Sequence, residues 1–536
     1  MSEISDNAGS VVELRRMTAL RIGDEPLTPA AVVAAARGGP FGVELTAAAR
    51  ERLARSRAVV EAVAARQAVY GRTTGVGANR PVAVREADLR AHSVRLLRSH
   101  SGGVGDALPD ELVRATLLIR LAQMAAGGGG HRPEIADALV AVLCDGPLPV
   151  LRDLGGIGTG DITLLAQLGL ALAGEGEWRA AVTGMDEAAA GGAPVTGSDA
   201  PAAGGAPVTG SEAAATGAGA AAPASVEIEA GDALALMSSN AATHAAAALA
   251  WADARELLDA GLGIAALTFH ALDGNREAFA EEIALARPLP GLAAVSERLR
   301  TLTADAPESA RIQDPFGLRC LPPVAGALHD ALAALHDLLA VEINAAAENP
   351  LVAGDDVLHH GGFHAAPIAL ALDTLRLALV PFASMSAARL SHLMEPGLSG
   401  LSPFLAVDAP GSSGVLIAEY LAADALARLR ADAAPVVLGT VAISRGLEEH
   451  ASFAWQAAAQ ARHAVLHLRT VLALEWVVAE RALRMKGAPH DGVLAPLRTL
   501  AGGFDPRLED RPIGSDAALA EAALPALARS VRREAA

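Results

Sequence analysis

Cysteine is almost missing from this chain: Cys144 and Cys320 are the only two in 536 residues. Two thiols build no disulfide framework, which suits a reducing compartment and predicts a cytoplasmic protein. Aromatic side chains are scarce at 3%, and Tyr70 and Tyr420 are the only tyrosines. That poverty argues against an all-β fold. Positive charge is in deficit, with 43 Lys and Arg against 61 Asp and Glu, a formal −18 at pH 7. Such a balance keeps a chain soluble and disfavours nucleic acid or an anionic membrane as partner. Neither an N-terminal apolar segment with basic flanks nor an uninterrupted apolar run of membrane-spanning length is expected, so no membrane is assigned.

What the chain does have is small apolar surface. Hydrophobic residues make up 52%, with alanine abundant, which favours helices packed closely through small side chains. The length allows roughly two to four average domains or one continuous helical body. Residues 1–16 are polar and read as a disordered N-terminus, followed by an active-site domain over 17–230. Within it the pattern predicts helices at 44–67, 109–126, 132–145 and 161–173. Residues 183–226 break the pattern: Gly192-Ala193-Pro194-Val195-Thr196-Gly197-Ser198 returns as Gly205-Ala206-Pro207-Val208-Thr209-Gly210-Ser211. Repeated Ala, Gly, Pro, Ser and Thr bury no core, so this reads as a disordered surface insertion. Long helices are predicted at 231–260, 262–284, 324–347, 364–394, 415–432 and 448–486. They make 231–485 a central bundle, and 486–536 a C-terminal helical segment.

The stretch most able to carry chemistry is Gly155-Gly156-Ile157-Gly158-Thr159-Gly160-Asp161, leading into the apolar helix Ile162, Leu165, Leu168, Leu172. Glycines permit unusual backbone conformations, and Asp161 stands where a helix cap belongs. The loop is thus delivered onto the positive end of a helix, where developing negative charge is favoured. A phosphate loop would want a Lys after the glycines, and none follows; a tight turn before a core helix is the bland alternative. Other residues carry similar pairs of readings. Tyr70, heading a glycine-rich loop, is a structural tyrosine or sits on an active-site lid. His100 caps a helix or meets a ligand, Arg319 makes an interhelical ion pair or holds a carboxylate, and Glu448 is a helix-start carboxylate or a site group. His359, His360 and His364, and the pair His463 and His467, lack the spacing of a metal motif and read as solvated or packed; no metal is assigned.

Gly155 to Glu177 resembles the active-site segment of the histidine and phenylalanine ammonia-lyase family. Tyr70-Gly71-Arg72-Thr73-Thr74-Gly75-Val76-Gly77 resembles its Tyr-Gly-x-x-Thr-Gly-x-Gly. Counterparts follow in the family's order at 96–105, 234–240, 311–320, 344–351, 361–364, 446–450 and 510–516. The resemblance therefore runs from about 17 to about 530 without the insertion, and it is strongest toward histidine ammonia-lyase. It implies a mainly α, elongated helical bundle that forms homotetramers whose active sites draw loops from three chains. It implies Tyr70 as base on a covering loop, and Ser99-His100 as the version that selects histidine. Gln313, Phe316 and Arg319 fall in the substrate-binding motif, where Arg319 would hold a carboxylate by its bidentate fork. Glu448 matches a site carboxylate. No external cofactor is implied. In the family, Ala-Ser-Gly at the positions of Gly158-Thr159-Gly160 cyclises into an electrophilic methylidene-imidazolone (MIO).

This chain departs from the family at the electrophile. Gly158 replaces Ala and Thr159 replaces the Ser that dehydrates, so dehydration would leave a methyl on the carbon that the amine attacks. Ser238 replaces the Asn that supports the electrophile's oxygen, and Phe316 replaces a Tyr hydroxyl. Arg428 takes the place of a Glu, and Thr73 that of an Asn. Together these changes predict a pocket that persists around a lost or altered prosthetic group. The expected function is a lyase that removes an amine or related leaving group from an amino acid or derivative without a standard MIO. The alternatives are an orthodox histidine-type ammonia-lyase or aminomutase with an electrophile from Gly158-Thr159-Gly160, and a non-catalytic ligand-binding homologue.

Overall fold

Helix starts near the N-terminus follow local chemistry. The hydroxyls of Thr28 and Thr46 accept from the amides of Ala31 and Ala49, starting helices Pro29–Arg37 and Ala47–Ala64. Helices Leu89–His100, Asp110–Ala125, Pro133–Asp145 and Ile162–Leu172 follow. Every residue of Asp110–Ala125 except Glu111 is buried, as expected of a helix packed on all sides rather than along one stripe. Ile162–Leu172 packs against Leu89–His100 and the short helix Asp232–Met237. The strands are short and form two-stranded pairs, such as Leu20–Ile22 parallel to Val43–Leu45 and the hairpin Leu351–Ala353 with Asp356–Leu358.

The structure, a computed structural model, describes residues 19–180, 223–407 and 410–534, and is mainly helical at 61%. The expectations for 1–16, and for all but the last four residues of 183–226, lie outside the described residues. The chain folds as two units. The first comprises Met1–Ala245, Ala340–Ala365 and Thr440–Trp455; the second comprises Ala246–Leu339, Ala366–Gly439 and Gln456–Ala536. Long helices dominate the second unit's stretches of chain, including Leu321–Glu342, Ala366–Met394 and Ala454–Met485.

Two expectations need correction. The pattern divided 231–260 from 262–284, yet a single helix runs Ala241–Ala271 straight through Gly261-Leu262-Gly263. The glycines are there for proximity: a Cβ at Gly261 would lie 2.6 Å from Phe382, and one at Gly263 2.6 Å from Val531. Tertiary packing overrides their weak helix propensity. Asp161 stands at the cap position of Ile162–Leu172, but its side chain makes no capping bond to that helix; it is engaged elsewhere. Leu321–Glu342 and Ala366–Met394 are long and apolar enough on average to cross a membrane by length and composition, although neither is an uninterrupted apolar run. Alanine-rich helices reach such averages even when interrupted by Asp330 or Arg376, and packed helices of water-soluble folds meet the same criterion.

Candidate active site

The glycine loop needs its glycines. Gly155, Gly158 and Gly160 have φ of 142°, 81° and 101°, values that side-chain-bearing residues avoid. The loop is held from two directions within the first unit. The Asp161 amide donates to the Ser239 carbonyl at 2.7 Å. Its fully buried carboxylate accepts from the Thr243 amide at 2.8 Å and hydroxyl at 2.7 Å. Burial raises this carboxyl to a pKa of about 6 against the pull of the Thr243 donors. From the segment after Glu448, the Phe453 amide donates to the Ile157 carbonyl at 2.9 Å and the Ser452 hydroxyl to the Gly158 carbonyl at 2.8 Å. The Trp455 indole N–H donates to the Asp153 carbonyl at 2.7 Å.

The Tyr70 loop is likewise anchored. The Tyr70 amide donates to His359 Nε2 at 3.2 Å, and the Gly77 amide donates to the Tyr70 hydroxyl at 2.7 Å. Thr73, where the resemblance expects Asn, turns its hydroxyl to the Val69 amide at 2.8 Å. The Ala78 amide donates to Ser444 Oγ at 3.0 Å. Gly77 is pressed so closely that a Cβ there would lie 2.6 Å from Ser444 Oγ and 3.3 Å from Glu448 Oε1. Tyr70 and Glu448 therefore share one corner of the first unit. Burial raises the Tyr70 pKa above the ordinary phenol value; the Gly77 N–H opposes this, and the Glu448 charge adds to it.

Tyr70, Ser238, Glu348 and Asn349 line one small cavity. Ser238 Oγ accepts from the Asn349 amide at 2.9 Å. Glu348 is buried against the equally buried Arg120, at 2.8 Å, and Arg120 also reaches His131 at 2.7 Å. Ser99 and His100 end helix Leu89–His100, with His100 Nδ1 2.9 Å from the Leu96 carbonyl and 3.0 Å from Ser99 Oγ. The histidines near 360 serve separate tasks. His360 takes the Gly362 amide on Nδ1 at 2.9 Å, which leaves Nε2 to donate to the Glu348 carbonyl at 2.7 Å. His364 lies 3.0 Å from His450. Sequence reasoning passed over Ser452 and Ser444 and read His359 as merely solvated or packed, where it accepts from the Tyr70 amide; the one signal for Ser452 was its position two residues beyond His450.

Gln313, Phe316, Arg319 and Arg428 belong to the second unit. There the buried Asp314 accepts from the Asn275 amide at 2.6 Å and from Arg311 at 2.9 Å, bracing the short helix Phe316–Arg319. Arg319 lies over the exposed Phe316 ring, with Cζ 4.4 Å from its centroid. Among the described residues its buried Nε has no hydrogen-bond partner. Gln313 and Arg319 line a cavity of about 360 Å³ in this unit. Arg428 pairs along its own helix with Asp424 at 2.9 Å, both exposed.

An alanine methyl at Gly158 would lie 2.1 Å from Ser452 Oγ and 2.7 Å from the Ala454 amide, and φ there is left-handed. The loop as folded therefore has no room for the family's Ala, and Thr159 would place a methyl on the electrophilic carbon. These residues do not fit the MIO as the family builds it.

Comparison with known proteins agrees with this architecture. The profile of the family described as "Aromatic amino acid lyase" matches residues 27–500. A histidine ammonia-lyase of Anaeromyxobacter sp. (strain K) is 36% identical over 494 residues, covering 90% of this chain and 92% of that protein. Tyrosine aminomutase from Streptomyces globisporus superposes with a TM-score of 0.83 at 25% identity, covering 96% of this chain and 99% of that one. The ergothioneine-degrading enzyme ergothionase from Treponema denticola superposes with a TM-score of 0.82 at 22% identity, with the same coverage; that likeness is one of fold. With the family profile spanning most of its length and close to full-length relatives above 30% identity, the chain belongs to the aromatic amino acid lyase family.

Proposed function

We propose that this protein is a carbon–nitrogen lyase that eliminates an amine from an amino acid or amino-acid derivative without a standard MIO or an external cofactor. The observation that carries the reading is the Tyr70 corner: one phenol, half-buried, is held by the Gly77 amide beside the Glu448 carboxylate. In the elimination, Tyr70 takes a proton from the β carbon and the C–H electron pair becomes the Cα=Cβ double bond. The amine, bound to the substrate in its protonated ammonium form, leaves as the neutral amine with the former C–N pair. Arg319, lacking a hydrogen-bond partner at Nε among the described residues, is the group to hold the substrate carboxylate. Gln313 and Phe316 stand beside it in the chain, while Ser99, His100 and Ser238 are proposed to shape the side-chain pocket. From the family resemblance and the uncovered apolar surface of the long helices, we propose a homotetramer in which several copies supply one site. The misfit at Gly158 and Thr159 favours a substrate whose proton is more acidic or whose amine leaves more readily, since the usual electrophile would not assist.

A second reading keeps the orthodox reaction, and the 36% identity to a histidine ammonia-lyase favours it. Intact-protein mass separates the two. The proposal expects the sequence mass; a species lighter by two waters means Gly158-Thr159-Gly160 has cyclised and sinks the MIO-free reading. Incubation with L-histidine, L-phenylalanine and ergothioneine, followed in the ultraviolet for a conjugated acrylate, then tests for turnover. Absence of turnover on any amino acid or derivative in a wider panel would sink the lyase reading itself.

A further inference from the structure

The second unit contains a cavity of about 380 Å³ that none of Tyr70, Thr159 or Arg319 lines. Residues of helices Ala241–Ala271, Pro290–Leu302, Leu321–Glu342 and Gly514–Glu534 form it. This volume falls within the range that holds small organic ligands. Trp251 lines it, only 4% exposed, with its indole N–H donating to the Leu332 carbonyl at 3.1 Å. That bond fixes the ring. His336 is tilted against it at 5.2 Å between centroids, and the Arg255 guanidinium stands over it at 5.6 Å. Leu258, Leu262 and Val295 supply apolar wall.

The charge in this cavity is unbalanced. Asp259, 5% exposed, takes Arg298 on one carboxylate oxygen and Arg532 on the other, the latter at 2.7 Å. Two guanidiniums on one carboxylate leave a net positive charge, and Arg255 adds another. The remaining carboxylate, Asp337, is 85% exposed and sits beside its neighbour His336 at 3.1 Å, so its field is largely screened by water. An aromatic wall, aliphatic side chains and surplus guanidinium charge together suit a ligand with a flat apolar body and an anionic head.

We propose that this cavity binds a small planar carboxylate, its ring against Trp251 and His336 and its charge met by Arg255 with the Arg298–Asp259–Arg532 group. The site is separate from the proposed elimination reading and survives or fails without it. The test is calorimetric titration of the full chain with 2-naphthoate as probe. Wild type should bind, and Arg319→Ala should bind with unchanged affinity. Arg255→Glu, a change at an exposed position, should weaken binding tenfold or more, and Ala333→Trp should abolish it by filling the space, both with unaltered melting temperature. The uncharged 2-naphthamide should bind at least tenfold more weakly than the acid. The proposal is overturned by any of three results: no binding to wild type, binding that Arg319→Ala removes while Arg255→Glu leaves it intact, or equal affinity for the acid and the amide.

Discussion

Tyr70 illustrates how an environment sets a side chain's chemistry. A base must be deprotonated to act, and burial together with the Glu448 charge keeps this phenol protonated above its ordinary pKa. The tyrosinate fraction is therefore small near neutrality and grows about tenfold per pH unit as pH rises toward that raised value. The proposed activity should climb with pH through the alkaline range, and Glu448→Gln should move the climb to lower pH because it removes a charge that raises the pKa. Tyr70→Phe should cost about 10²–10⁴-fold in kcat. A pH profile that keeps the same shape in the Tyr70→Phe enzyme would remove Tyr70 from the reaction. Burial likewise raises the Asp161 carboxyl, which is tied to the Thr243 amide and hydroxyl. Its folded pKa of about 6 exceeds the ordinary 3.8, so the folded state binds this proton more tightly than the unfolded one. Stability from this group is complete below about pH 4 and is lost as pH rises through about 6, a change on the order of 2–3 kcal/mol. Melting curves of wild type and Asp161→Asn should therefore converge or cross as pH falls from 7 to 4, with wild type gaining. A constant gap across that window would show that Asp161 does not titrate there.

At the scale of elements, most of what the sequence revealed came from periodicity, and most of what it hid came from tertiary contact. Helices at Ala47–Ala64, Asp110–Ala125, Pro133–Asp145 and Ile162–Leu172 lie close to their predicted spans because local pattern and burial agree. Gly261 and Gly263 read as a break because propensity knows nothing of Phe382, Leu472 or Val531. The site was legible in the same uneven way. The glycine loop and the Tyr70 loop announce themselves, since their backbones require glycine at φ values that sequence composition betrays. Ser452 and Ser444 do not, because a serine's role depends on a partner some 290 or 366 residues away in the chain. In an exposed helix Gly→Ala would stabilise by roughly 0.5–1 kcal/mol, whereas overpacking a core costs about 1–3 kcal/mol. With a Cβ only 2.6 Å from the Phe382 ring, the second effect should win at Gly261. Gly261→Ala should lower the denaturation midpoint, and a rise would mean that Phe382 yields freely.

For the whole molecule, the informative surfaces are those the single chain leaves apolar. Only 33% of the apolar window in Leu321–Glu342 is buried, and 50% of that in Ala366–Met394, although both are as hydrophobic as helices that cross membranes. Leu370 and Leu377 stand outward from Ala366–Met394, and Leu466 from Ala454–Met485, all more than half exposed. Isolated apolar residues on a surface need no explanation, but long helices with this much uncovered hydrocarbon call for a partner. Copies of the same chain are the economical partner, because closed symmetry buries one patch several times over. Each exposed leucine covered in this way would contribute about 1–2 kcal/mol per copy. The paired substitution Leu370→Glu with Leu377→Glu puts charges where an interface would exclude water, with little effect expected on the fold of one chain. Sedimentation should show wild type as a tetramer and the double variant as smaller species with native helix content by circular dichroism. If residues such as Arg319 reach a neighbouring copy's Tyr70 corner, the same variant should lose turnover together with assembly. A monomeric wild type that remains fully active would sink the proposal that several copies supply one site.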